Sequence, residues 1–135
     1  MVIAMGHDLC DQRRIERLHN RFGSRFVKRI LTPDEQAEYQ KRKHKIAYLS
    51  GRFAVKEAVY KALCEADQKG LNWQQASTVT LVSGAPVLSL SGKCLHAAKQ
   101  LLPKAMRLKV FVSISDEPPY SSAVVLLSAI NDIQG

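Results

Sequence analysis

The sequence predicts an α+β fold in which a mostly antiparallel sheet packs against helices. Apolar residues recur at helical spacing between residues 11 and 67, whereas they alternate with period two in several segments after Gly70. The resulting order, β-α-α-α-β-β-α-β-β, lacks the regular alternation of strands and helices that builds a parallel sheet. The chain has 135 residues, 46% of them hydrophobic, so we expect a single domain over residues 1–135.

The first half of the chain is predicted to contain one strand and most of the helices. Residues 2–9 form a short apolar strand, and Asp11 can cap the helix that follows. Residues 22–31 make a short amphipathic segment. Thr32-Pro33-Asp34-Glu35 combines an N-cap threonine, a proline at the first helical position and the acidic residue of a capping box, so a helix begins there. A further helix is expected over residues 46–67.

The second half is predicted to contain four strands and one helix. The strands form two pairs, 78–82 with 87–90 and 109–115 with 122–129. Ser83-Gly84-Ala85-Pro86 supplies the turn of the first pair. Ser91 is expected to cap the helix, which ends before Pro103.

The positive charge is concentrated in the first part of the chain. Of a formal net charge of +8, residues 1–61 hold fourteen Lys or Arg against seven Asp or Glu, and residues 62–135 hold six against five. This asymmetry attracts anions to one part of the surface. By charge alone the partner is a nucleic acid, an acidic membrane face, a phosphorylated metabolite or an acidic protein.

The cysteines indicate a reducing compartment. Cys10, Cys64 and Cys94 are odd in number, far apart and in no CxxC pair, which argues against a disulfide framework or a zinc cluster. The apolar start is too short for a signal peptide, and the longest uncharged stretch is rich in turn residues. We therefore expect a cytoplasmic protein without a membrane segment.

The stretch GRFAVKEAVYKAL, residues 51–63, indicates a site for magnesium and phosphate. It places one carboxylate, Glu57, among the cations Arg52, Lys56 and Lys61. Mg²⁺ usually binds through one or two carboxylates plus substrate phosphates, and the neighbouring cations can take phosphate oxygens. On spacing alone, Glu57 and Lys61 also fit an ordinary i,i+4 surface pair.

A second candidate carboxylate, Asp8, stands at the end of the first strand. An Asp in this position either caps the next helix or projects from a rigid strand end toward a site. Gly6, two residues earlier, indicates the close approach of another backbone or a ligand.

Arginines at positions 14, 21, 25 and 29 form a possible basic stripe. Such a run fits a solvated surface, a docking face for an acidic helix or a phosphate-backbone contact. The absence of a recognised nucleic-acid motif in the sequence disfavours the last of these. His44, within the basic stretch 41–45, can join an anion site.

Several segments, taken together, point to one enzyme family. They are Gly6-His7-Asp8-Leu9, Arg14-Ile15, Arg29-Ile30-Leu31-Thr32 with Glu35, Gly51-Arg52-Phe53-Ala54-Val55-Lys56-Glu57-Ala58, Lys61-Ala62 and Ser113-Ile114-Ser115. In order and spacing they resemble holo-acyl-carrier-protein synthase, the small type of 4′-phosphopantetheinyl transferase. The resemblance covers nearly the whole chain. It favours a functional role for Asp8 and Glu57 over the ordinary roles of a helix cap and a surface ion pair.

The resemblance implies a 4′-phosphopantetheinyl transferase-like subunit that assembles as a homotrimer, with coenzyme A in clefts between subunits. Asp8 and Glu57 would hold the Mg²⁺ that bridges the pyrophosphate of coenzyme A. The expected contacts to coenzyme A are Arg52, Lys56, Lys61, His44, Gly84 and Pro86. The resemblance further implies transfer of phosphopantetheine to a serine of acyl carrier protein, with release of adenosine 3′,5′-bisphosphate, as a step of fatty acid biosynthesis.

The carrier protein and the general base have their own expected residues. By resemblance, the acidic helix of the carrier docks on Arg14, Leu18, Arg21, Arg25 and Phe26. A base must take the serine proton, and we expect Glu57 in this role, with Asp116 as the substitute.

Two departures from the family pattern keep alternatives open. Cys64-Glu65-Ala66-Asp67 replaces a usual Gly-Thr-Gly turn, and position 116 is Asp where many members have His. A binding module for coenzyme A or carrier protein that has lost turnover is the alternative function. A small basic RNA-binding protein is the third.

Overall fold

The first and last strands of the chain are hydrogen-bonded neighbours. A computed structural model describes residues 1–132, so the final part of the predicted domain, 133–135, lies outside the described residues. The helices and strands are, in chain order, β1 (Val2–Asp11), α1 (Gln12–Phe22), α2 (Ser24–Ile30), α3 (Pro33–Lys41), α4 (Lys45–Ala62), β2 (Ala76–Thr80), β3 (Pro86–Leu90), α5 (Gly92–Gln100), β4 (Met106–Glu117) and β5 (Tyr120–Asn131). One antiparallel sheet has the order β1-β5-β4, and β2 and β3 form an antiparallel pair. The predicted α+β class with antiparallel sheets is confirmed.

One face of the three-stranded sheet packs against α4. Successive side chains of a strand point to opposite faces, and the alternate residues Ala123, Val125 and Leu127 of β5 belong to the core. Ala123 is paired with Asp8 on β1 and with Ile114 on β4. The register therefore puts Asp8 on the sheet face that α4 covers.

Gly6 allows β1 and α4 to approach each other closely. A Cβ atom at position 6 would lie 1.8 Å from the carbonyl oxygen of Ala58 and 2.8 Å from the backbone nitrogen of Ala62. No side chain fits at such distances. The close backbone approach predicted at Gly6 is confirmed, and it brings the last two turns of α4 onto the strand that carries Asp8.

The predicted helix caps before α1 and α3 are confirmed. Asp11 Oδ1 accepts a hydrogen bond from the backbone nitrogen of Arg13 at 2.9 Å. At α3, Thr32 and Glu35 form both bonds of the capping box, at 3.3 Å and 3.0 Å. Gly23, with φ near +60°, separates α1 from α2. The short amphipathic segment is thus a helix of its own, and four helices rather than three precede β2.

Several predicted boundaries differ from those of the structure by two or more residues, and two of these differences have a local cause. Helix α4 ends at Ala62 rather than at residue 67, and Gln68 Nε2 satisfies one of its last carbonyls by donating to Tyr60 O at 2.8 Å. Strand β2 ends at Thr80 rather than at residue 82, because the Leu81 N–H bonds to Ala85 O within the turn.

The start of α5 depends on a side chain distant in sequence. Ser91 occupies the N-cap position, as predicted, but its side chain makes no capping hydrogen bond. Gln75 Oε1 instead accepts from the backbone nitrogen of Cys94 at 3.1 Å. Gln75 is the last residue of a 3₁₀ turn, Trp73–Gln75, which the sequence patterns did not predict.

The other face of the three-stranded sheet carries exposed apolar side chains. Met5, Leu126 and Phe111 form one row across β1, β5 and β4. Met5 and Phe111 are 65% and 45% exposed. Among residues 1–132 no helix combines the length and hydropathy that crossing a bilayer requires.

Candidate active site

Asp8 and Lys61 form an ion pair where β1 meets the end of α4. Lys61 Nζ donates to Asp8 Oδ1 at 3.0 Å and to the carbonyl oxygen of His7 at 3.1 Å. The Asp8 side chain is only 14% exposed, whereas that of Lys61 is 55% exposed. The ammonium group is therefore reachable from solvent, while the carboxylate is largely enclosed.

Glu57 lies one helical turn before Lys61 on the same side of α4. Its Oε1 accepts a hydrogen bond from Trp73 Nε1 at 3.1 Å. Glu57 also borders a cavity of about 730 Å³, together with Trp73 and Tyr60. Of the two predicted metal ligands, Glu57 thus lies on the last turns of α4. Asp8 contacts the same turns through its ion pair with Lys61.

Lys56 lies in the interior, apart from this pair. Its Nζ donates to Glu35 Oε1 at 2.7 Å, to Trp73 O at 2.9 Å and to Ala76 O. Burial lowers the pKa of Lys56, and the Glu35 carboxylate opposes that shift. Three protein acceptors use the three donors of the ammonium group.

Arg52 is also buried, and it belongs to a polar network with α3 and β2. Its Nη2 atom donates to Glu38 Oε2 at 3.2 Å and to Thr80 Oγ1 at 2.9 Å. Burial raises the pKa of Glu38, but hydrogen bonds from Thr80 N and Tyr48 and the charge of Arg52 outweigh it and leave that pKa lowered. Within residues 1–132, the buried Arg52 Nε has no hydrogen-bond partner.

A second cavity, of about 960 Å³, brings together three other predicted residues, Arg52, His44 and Asp116. Further cationic side chains on its wall are Arg13, Arg42, Lys43 and Lys45. Asp116 Oδ1 accepts from Ser121 Oγ at 2.6 Å. Asp116 is on β4 and Asp8 on β1, the two edges of the sheet, so these two residues are separated by two strand spacings, roughly 10 Å.

Gly84 and Pro86 lie at the β2–β3 hairpin, where Gly84 has φ near +90° and Pro86 pairs with Thr80. The hairpin belongs to the two-stranded sheet, whereas Asp8 is on the three-stranded sheet. Val82 at the tip is fully exposed.

The predicted docking residues occupy α1 and α2. Arg14, Arg21 and Arg25 are exposed, and Leu18 and Phe26 are partly buried. Arg14 lies over the ring of Phe53 at 5.3 Å, and Arg21 over that of Phe22 at 5.1 Å. Inside the described range, none of these three arginines forms an ion pair with an acidic side chain, so their charge is available to a partner.

The sequence patterns did not identify Trp73 or the Glu35–Lys56 pair. The one signal available was composition, since Trp73 is the single tryptophan of the chain. The contact between Trp73 and Glu57 spans sixteen residues and follows no helical or strand periodicity.

Comparison with known proteins identifies the family. The model of the 4′-phosphopantetheinyl transferase superfamily matches residues 4–114. The holo-[acyl-carrier-protein] synthase of Methylobacterium sp. (strain 4-46) is 41% identical over 132 residues, which are 98% of each chain. This chain belongs to the 4′-phosphopantetheinyl transferase superfamily. The family predicted from the motifs is confirmed, and with it the enzyme class, a phosphopantetheinyl transferase of the holo-acyl-carrier-protein synthase type.

Solved structures of this transferase type share the fold. The holo-[acyl-carrier-protein] synthase of Neisseria meningitidis has a TM-score of 0.81 at 28% identity, covering 95% of this chain and 99% of its own. The Helicobacter pylori holo-[acyl-carrier-protein] synthase, solved in complex with coenzyme A, has a TM-score of 0.75 at 28% identity, covering 92% and 99%.

Proposed function

We propose that this chain transfers the 4′-phosphopantetheine group of coenzyme A to a serine of apo acyl carrier protein, with Mg²⁺, and releases adenosine 3′,5′-bisphosphate. The observation that carries this proposal is the Asp8–Lys61 ion pair at the junction of β1 and α4, with Glu57 one helical turn before Lys61. Two acids and one exposed cation suit a substrate whose reacting group is a diphosphate. The names of the relatives, and the coenzyme A bound to one of them, support the choice of substrates.

The donor set fits magnesium. Asp8 and Glu57 offer hard carboxylate oxygens, and no group of three or more His, Cys, Asp or Glu side chains able to hold a metal occurs between residues 1 and 132. Mg²⁺ is commonly held by one or two carboxylates and completed by substrate phosphates and water. When bound, the ion would neutralise charge that develops on the leaving diphosphate.

Lys61 supplies a solvent-accessible positive charge beside Asp8. Its side chain is more than half exposed and already points its ammonium group at the Asp8 carboxylate. A phosphate oxygen that enters this junction can therefore accept a hydrogen bond from Lys61. Such positioning and charge neutralisation account for most catalysis of phosphoryl transfer.

The serine hydroxyl of the carrier must lose its proton as it attacks phosphorus. We assign the role of general base to Glu57, which borders the cavity beside Trp73. Asp116 is the substitute, supported by its position on the wall of the cationic cavity. The attack is direct, so no covalent intermediate with the enzyme is required.

The remaining contacts to coenzyme A are proposed at the cationic cavity. Arg52 and His44 border it, and Lys43 and Lys45 on the same wall add positive charge for phosphate oxygens. Gly84 and Pro86 are proposed to contact the adenine end from the hairpin. Lys56 already donates to three protein acceptors. We therefore propose that it supports the site indirectly, by fixing the segment at Trp73, and does not bind a phosphate itself.

Assembly as a homotrimer would join the parts of the site that one chain keeps separate. Asp8 and Asp116 lie on opposite edges of the sheet, so a cleft between subunits is the place where both sets of residues can reach one coenzyme A. The exposed apolar row Met5–Leu126–Phe111 supports burial of this sheet face between copies of the chain.

The carrier protein is proposed to dock on α1 and α2. Arg14, Arg21 and Arg25 would pair with acidic residues of a carrier helix, and Leu18 and Phe26 would supply apolar contact. We place the reaction in the cytoplasm, as a step of fatty acid biosynthesis. The free thiols of Cys10, Cys64 and Cys94 support a reducing compartment.

Mass spectrometry of apo carrier protein after incubation with the chain, coenzyme A and Mg²⁺ tests the proposal. A phosphopantetheine adduct is expected, and removal of the metal with a chelator should abolish it. Glu57→Gln and Asp8→Asn should each lower kcat/KM by about two orders of magnitude, the typical loss for one electrostatic group of an active site. The matched control is Asp132→Asn, which removes the same charge from an exposed acid just beyond β5.

The alternative, a binding module without turnover, is favoured by one observation. The exposed acids Glu65 and Asp67 follow the end of α4, where negative charge opposes a diphosphate. Binding of coenzyme A and carrier protein without formation of an adduct would support the module and contradict the transferase.

A further inference from the structure

The indole of Trp73 connects the core of the protein to Glu57. Trp73 Nε1 donates to Glu57 Oε1 at 3.1 Å, and inside the described chain no other side chain donates to this carboxylate. One of its two oxygens is thereby held, and rotation about the terminal bond of the side chain is restrained. The second oxygen stays available to a ligand.

The position of Trp73 is itself fixed from several sides. Its carbonyl oxygen accepts from the buried Lys56 Nζ at 2.9 Å, and its ring lies 6.0 Å from that of Phe53 at a 45° tilt. The guanidinium of Arg29 lies 5.7 Å over the same ring. The neighbouring Gln74 side chain donates to Leu31 O at 2.9 Å. An indole held in this way can orient a flexible glutamate.

We propose that Trp73 is a positioning residue: its N–H holds the Glu57 carboxylate in the orientation that binds the metal ion beside Asp8. The inference rests on the proposed function, because it assigns Glu57 to the metal. A residue that hydrogen-bonds to a metal-ligating side chain restricts the conformations of that side chain before the metal binds. Loss of such a residue typically weakens metal binding about 10- to 100-fold. Trp73 touches neither substrate nor metal in this scheme.

Trp73→Phe is the critical variant, because it keeps an aromatic ring against Phe53 and removes only the N–H donor with part of the ring. Binding of Mn²⁺, used as the probe for the metal, is measured calorimetrically in the presence of coenzyme A and without carrier protein. The expected result is an affinity for Mn²⁺ weakened about tenfold or more, with the thermal unfolding midpoint nearly unchanged. Arg29→Lys is the control, since it alters the surface of the ring but keeps the hydrogen bond, and its Mn²⁺ affinity should stay within about twofold of the wild type.

The single tryptophan gives an independent spectroscopic readout. Mg²⁺ is added alone, without Mn²⁺, to the wild-type chain with coenzyme A. The fluorescence of Trp73 should change, because the metal alters the carboxylate to which the indole is hydrogen-bonded. Glu57→Gln should remove most of this change. Neither signal depends on turnover.

Two results separate the inference from the proposed function. If the wild type transfers phosphopantetheine but Trp73→Phe binds Mn²⁺ with wild-type affinity, the positioning role is overturned and the proposed function stands. If the wild type forms no adduct and binds no Mn²⁺ with coenzyme A, the proposed function fails, and the inference falls with it.

Discussion

Lys61 on α4 donates a hydrogen bond of 3.0 Å to the carboxylate of Asp8 on β1. The two residues are 53 positions apart in sequence, and the contact depends on the close packing of strand and helix. It is asymmetric, because the acid is mostly enclosed and the ammonium group mostly accessible. A small charged ligand can therefore approach Lys61 while Asp8 stays in place.

Replacement of Lys61 by Met should impair catalysis with little effect on stability. An ion pair with one exposed partner contributes about 1 kcal/mol or less to the free energy of unfolding. Loss of a cation beside the diphosphate should lower kcat/KM for coenzyme A about 100-fold. Steady-state kinetics and urea denaturation measure the two effects, with Lys69→Met, an exposed lysine in the loop after α4, as the control. Activity of Lys61→Met equal to that of the control would argue against a role of Lys61 at the phosphates.

Gly6→Ala should disrupt the junction of β1 and α4. The added Cβ would lie 1.8 Å from the carbonyl oxygen of Ala58, and backbone cannot yield as a flexible side chain does. We expect a loss of about 3 kcal/mol or more in the free energy of unfolding, at the upper end of the cost of overpacking.

Gly23→Ala provides the comparison for Gly6. At Gly23 nothing lies within 4 Å of an added Cβ, but the backbone angles, φ near +60° and ψ near −137°, suit glycine rather than residues with side chains. Only backbone strain is therefore penalised, by about 1–3 kcal/mol. Chemical denaturation of both variants ranks the two costs. Equal losses would contradict the expected steric overlap at Gly6, because the cost there should exceed that of backbone strain alone.

Lys56→Met should destabilise the fold rather than weaken coenzyme A binding alone. The substitution leaves the fully buried Glu35 carboxylate without its cation, and breaking such a pair typically costs about 3–5 kcal/mol. The double variant Lys56→Met with Glu35→Gln removes both charges and should lose less stability than Lys56→Met. Denaturation curves test this, together with KM for coenzyme A. A stable Lys56→Met protein with a raised KM would instead make Lys56 a direct phosphate ligand.

Local sequence patterns predicted the parts of this molecule that local interactions determine. The capping box at Thr32 and Glu35 involves residues three apart, and the cap at Asp11 involves residues two apart. Gly6 was informative because few other causes place a glycine inside an apolar strand. The two candidate metal ligands were selected by the family resemblance, since Asp8 and Glu57 taken singly fit ordinary structural roles.

The features that the patterns missed depend on tertiary contacts. The end of α4 is stabilised by Gln68 from the following loop, and no glycine or proline marks that boundary. The inward direction of Lys56 follows from a buried acid twenty-one residues away. The hydrogen bond from Trp73 to Glu57 joins a 3₁₀ turn to a helix. Periodicity describes one element at a time and carries no information on such pairings.

Charge reversal on the first two helices should act on the carrier protein selectively. Arg14 and Arg25 are exposed, and neither forms an ion pair in the described part of the chain. A glutamate at either position would repel an acidic carrier helix. We expect Arg14→Glu and Arg25→Glu each to raise KM for the carrier roughly tenfold, equivalent to about 1.4 kcal/mol, and to leave KM for coenzyme A nearly unchanged.

Lys99→Glu is the matched control for these reversals, because it makes the same change of net charge at an exposed position of α5. Higher ionic strength should weaken carrier binding by the wild type and reduce the difference between the wild type and the reversed variants, since exposed charges are screened by salt. Equal increases of KM for carrier and coenzyme A, or equal effects of Lys99→Glu, would exclude a specific docking face. Either result would reduce the basic stripe to a general attraction of anions, because steering by net charge does not distinguish one exposed lysine from one exposed arginine.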